Sequence, residues 1–126
     1  MSDKSSADDI IRFETQCTCP DIPGKVILRE SGYTHATTNH PETAWTAPSD
    51  LLRVASDPYL VAESHPGKNN MYAGNLVLSR QDIVLGSAWL HLYLTPEGDD
   101  YNIASFWYNI GYHGPVRWRA PGTGGS

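Results

Sequence analysis

The chain has 126 residues and a formal net charge of −5, from 9 Lys and Arg against 14 Asp and Glu. Its length predicts a single domain able to bury its own core. Its basic residues are few and scattered, which excludes a phosphate-backbone binder built on clustered Lys and Arg. Charged residues make up 18%, below the roughly 25% usual for soluble domains, while Trp (4), Tyr (7), Gly (11) and Pro (9) are plentiful. That balance predicts a mainly β fold: an antiparallel β-sandwich or small β-barrel with one short helix.

Residues 1–8 are polar and acidic and read as a disordered tail. No apolar signal region follows them, and the apolar runs are far too short for a membrane span, so a cytoplasmic protein without a membrane partner is expected. Residues 9–120 are then one β-rich domain, and residues 121–126 (PGTGGS) a flexible tail.

Residues 9–16 (DIIRFETQ) alternate weakly and predict a strand. Cys17-Thr18-Cys19 follows, too tightly spaced for an unstrained internal disulfide, so free thiols are expected. With His35 and His40 brought in by the fold, Cys17 and Cys19 are weak candidates for a tetrahedral zinc site. The Cys-x-Cys spacing is unusual for such a site, and no cofactor is expected.

Residues 25–30 (KVILRE) predict a strand buried on both faces. Residues 31–48 are polar and unperiodic and predict a long irregular loop, holding Tyr33, His35, His40 and Trp45. Ser49 is placed to cap a short helix over residues 50–55 (DLLRVA). Strands are expected over residues 59–63, 71–79 and 115–119.

Residues 83–113 are the most informative part. They predict two long strands joined by a short turn, with bulky side chains on both faces. Pairing Leu90 with Phe106 and Leu92 with Ala104 aligns the apolar sets and leaves a loop over residues 96–100. The other face then holds Trp89 opposite Trp107, His91 opposite Ser105, and Tyr93 opposite Ile103, with Asn109 one step along.

Aromatic cross-strand pairs stabilise a sheet, so this face has a purely structural reading as a second packing layer. Indole faces with a few polar groups also suit a ligand, sugars especially. The leading expectation is a non-enzymatic binding module for a small polar or carbohydrate-like ligand. Trp89, His91, Tyr93, Ser105, Trp107 and Asn109 would contact it, with Tyr33 and Trp45 as rim or lid. One alternative is a small barrel enzyme, an acid–base isomerase or cyclase, with His91 as acid or base, Tyr93 as proton donor and Ser105 beside the histidine. Another is a structural or interaction protein, such as a viral component or the subunit of a homo-oligomer.

Overall fold

The computed structural model of the chain describes residues 9–64, 74–81, 88–109 and 115–121. Within them lie seven strands: β1 (Ile11–Gln16), β2 (Lys25–Arg29), β3 (Leu60–Glu63), β4 (Leu76–Arg80), β5 (Trp89–Glu97), β6 (Asp100–Asn109) and β7 (Val116–Arg119). Helix α1 (Glu30–Asn39), a 3-10 turn (Pro41–Thr43) and helix α2 (Pro48–Ser56) connect β2 to β3. The tail expected at residues 1–8 lies outside the described residues, as does all but Pro121 of the tail expected at residues 121–126.

The strands form one sheet in the order β1-β2-β6-β5-β4-β3-β7. Among the described residues every neighbouring pair is antiparallel except β2–β6, which is parallel through Val26↔Tyr101 and Ile27↔Asn102. The two ends of the sheet curl toward each other. Arg117 of β7 pairs with Asp21, in the loop after β1, at 3.5 Å, and Trp118 packs on the same core as Cys17 and Cys19. The mainly β, barrel-like fold is as the sequence predicts.

Alternation along the strands puts one apolar set on the face that the helices cover. Val26, Leu28, Val61, Leu76, Leu78, Leu90, Leu92, Leu94, Ile103 and Phe106 form that core with Leu51, Val54 and Ala55 of α2 and Ala36 of α1. Helix α1 packs on β6 and β2, and α2 packs on β1, β5 and β4. Helix α2 has Pro48 at its start and Ala47, rather than Ser49, at its N-cap. Proline suits that first turn because its missing N–H has no partner there.

Two expectations are corrected. First, α1 stands where the sequence predicts irregular loop. Its ESGYTHATTN composition is poor in strong helix formers, so tertiary contacts hold it. Ala36 is buried, Tyr33 packs on Phe106 (ring centroids 5.8 Å apart), and Gly32 lies tight against the Ile103 carbonyl. Second, β5 and β6 pair two residues away from the expected register, as Leu90↔Tyr108, His91↔Trp107 and Leu92↔Phe106. The turn tightens to Gly98 and Asp99 between Glu97 and Asp100, with Gly98 at φ 63°. A bulge at Ala104 then separates Tyr93↔Ser105 from Leu94↔Ile103. The extra residue lets Ile103 stay on the core face with Leu94.

Candidate functional site

The face of β5 and β6 turned away from the helices carries Trp89↔Asn109, His91↔Trp107 and Tyr93↔Ser105 as direct cross-strand pairs. All six residues expected on one face are therefore together, although their partners differ. After the bulge the same face continues through Thr95↔Asn102, and β2 adds Arg29 beside them. The Arg29 Nη1 donates to Asn102 Oδ1 at 3.1 Å and to Glu97 Oε1 at 2.8 Å.

Exposure divides this face in two. Over β3 and β4 it is closed: Leu60, Ala62, Val77 and Ser79 are all buried. Over β5 and β6 it is open: Trp89, Tyr93, Thr95, Asn102, Ser105 and Trp107 are half-buried, and Asn109 is exposed.

His91 is the exception in the open strip, at 0% exposure. Its Nδ1 shares a 2.6 Å hydrogen bond with Ser79 Oγ, itself buried on β4. Its ring lies against Trp107, centroids 5.3 Å apart and planes 30° apart. Burial pushes the imidazole pKa down from 6.5 to about 4, because the charged form would lose its hydration. His91 is thus a neutral support beneath the indole rather than a group a ligand can touch. No family model, curated protein or solved structure matches this chain.

His91, Tyr93 and Ser105 share this face, but the serine does not stand opposite the histidine as expected. Ser105 stands opposite Tyr93, and the hydroxyl on His91 comes from Ser79. The Tyr93 hydroxyl accepts from Asn75 Nδ2 at 2.8 Å.

Tyr33 and Trp45 do not join the face. Tyr33 packs against Phe106 in the core and donates to the Thr46 carbonyl at 2.6 Å. Trp45 stacks on Tyr108, centroids 5.2 Å apart and nearly parallel, while Thr46 Oγ1 and Tyr108 Oη share a 2.8 Å hydrogen bond. Tyr108 pairs with Leu90, so that stack belongs to the helix side of the sheet. The segment after α1 wraps the edge of β6: His40 comes within 6.3 Å of Trp107 on one side and Trp45 covers Tyr108 on the other.

The weak metal candidates are also dispersed. Among the described residues no three His, Cys, Asp or Glu side chains gather closely enough to hold an ion. His35 is exposed on α1 against Asn39, and Cys17 and Cys19 are free thiols. Burial raises the pKa of both, that of Cys17 to about 11, so neither is a ready thiolate ligand.

Sequence reasoning missed Ser79, Thr95, Asn102 and Arg29. The alternation that found Tyr93 also selects Thr95, which was a usable signal. Ser79, Asn102 and Arg29 reach the face through strand pairings or a bulge that local pattern does not reveal.

Proposed function

We propose that this chain is a non-enzymatic binding module for a small polar or carbohydrate-like ligand, held on the open strip over β5 and β6. The observation that carries this reading is the contrast in exposure across one sheet face. Leu60, Ala62, Val77 and Ser79 are buried, while Trp89, Tyr93, Ser105 and Trp107 keep part of their surface open. Half-buried aromatic rings beside hydroxyl and amide groups suit a ligand with both C–H faces and hydroxyls. The complete burial of His91, and its bond to Ser79, favour binding over acid–base turnover.

The test is intrinsic tryptophan fluorescence during titration with soluble mono- and oligosaccharides. Binding should give a saturable change that Trp107→Ala abolishes and Trp45→Ala keeps, because Trp45 lies on the other side of the sheet. No saturable change with any sugar would overturn the reading. So would a response that survives Trp107→Ala.

A further inference from the structure

At the turn end of the open strip the surface deepens into a polar cleft of about 470 Å³, lined chiefly by Arg29, Thr95, Glu97, Asn102, Asp9 and Ser31. Thr95 and Asn102 are a cross-strand pair on the same face as Tyr93 and Ser105, so the cleft and the aromatic rows form one continuous surface. Thr95 lies four steps along β5 from His91, beneath Trp107; at ~3.3 Å per residue that spans about 13 Å. That is longer than one pyranose ring.

The cleft mixes donors and acceptors. Arg29 is tied to Glu97 and Asn102, and Asp9 accepts from the Ser31 N–H at 2.9 Å and from Ser31 Oγ at 2.6 Å. One guanidinium beside two carboxylates offers no net attraction to an anion. Both carboxylates are already engaged, Glu97 by Arg29 and Asp9 by Ser31, so neither is left bare for a free cation. A neutral polyol fits, because each hydroxyl both donates and accepts and so matches either kind of group.

We infer that the cleft is the polar subsite of an extended site whose ligand is a neutral oligosaccharide of two or more units, with one unit on Trp107 and another hydrogen-bonded at Thr95 and Asn102. This rests on the carbohydrate-like reading of the aromatic strip and adds the ligand's length, charge and orientation to it. A single sugar fills only one end. A chain of sugars reaches both, and its two ends bind cooperatively through their linkage.

The experiment is a printed array of neutral and charged glycans, from mono- to hexasaccharides, probed with the labelled full chain and its variants. The wild type should bind neutral glycans of two or more units and retain no monosaccharide at the same concentration. Asn102→Ala and Thr95→Val should each weaken the longer glycans by about ten-fold, the scale of one lost hydrogen bond. Two variants are needed because Asn102 also holds Arg29, whereas valine keeps the β-branched shape of Thr95. Trp107→Ala should abolish all binding. If wild type binds glycans through Trp107 but monosaccharides bind as well as longer chains, or Thr95→Val binds like wild type, the subsite is wrong and the aromatic strip stands. A preference for charged glycans contradicts the polyol assignment. If wild type binds no glycan, both readings fall.

Discussion

The imidazole of His91 lies against the indole of Trp107, ring centroids 5.3 Å apart, and none of it reaches solvent. Its partner is the buried hydroxyl of Ser79 on the neighbouring strand. An aromatic ring supported in this way is pre-ordered, and under the proposed function that would lower the ordering cost of binding.

The same burial makes folding sensitive to acid. The folded-state pKa of His91 is about 4, against 6.5 ordinarily. Above pH 6.5 neither state is charged, and the full stability is present. Between 6.5 and 4 the unfolded chain takes up a proton that the folded chain refuses, so stability falls as pH falls. Below 4 both states are protonated, and the loss levels off at about 3 kcal/mol. Urea melts at pH 7.0 and 4.5 should show this slope, and His91→Leu should flatten it relative to wild type. Equal slopes in the two proteins would mean that His91 is not buried neutral.

Gly32 marks how closely α1 approaches the sheet. A methyl group there would sit 2.5 Å from the Ile103 carbonyl oxygen. Alanine favours helix by about 1 kcal/mol over glycine, but overpacking costs about 1–3 kcal/mol, and the obstacle here is backbone. Gly32→Ala should therefore lower stability, read as a lower denaturant midpoint. A neutral or stabilising result would place α1 farther from β6.

Cys17 should be a slow nucleophile. Burial is the main reason its thiol pKa rises from 9.0 to about 11, and the raised pKa leaves about a hundred-fold less thiolate at pH 8. Alkylation by iodoacetamide should be correspondingly slower in the native protein than in guanidinium. Native labelling at the denatured rate would contradict its packed setting beside the core.

The sequence made the face of the β5–β6 hairpin legible but not its partners. Alternation has period two, so an error of two residues in register leaves every side chain on its proper side. Trp89, His91, Tyr93, Trp107 and Asn109 are therefore legible as one group, whereas the apolar pattern pairs Trp107 with Trp89 and the structure pairs it with His91. The turn at Gly98 and the bulge at Ala104 change the count: Gly98-Asp99 is a recognisable two-residue hairpin signal that the alignment of apolar sets overrides, whereas the bulge has no clear local signature. Helix α1 was hidden for a different reason. Its serine, threonines and glycine favour other conformations locally, and contacts distant in sequence, Gly32 with Ile103 and Tyr33 with Phe106, override them. Arg29 came to the cleft through the parallel β2–β6 junction, a pairing that strand patterns do not specify.

In the proposed function, ligand binds on the Trp107 side of the sheet. The most direct measurement is a proton–nitrogen NMR titration of the indole N–H signals with the tightest glycan from the array. Trp89 and Trp107 should shift with a common saturation curve. Trp45, stacked on Tyr108 across the sheet, and Trp118, packed at β7, should stay fixed. Shifts confined to Trp45 or Trp118, or no shift in any indole at saturating glycan, would contradict binding on the Trp107 side.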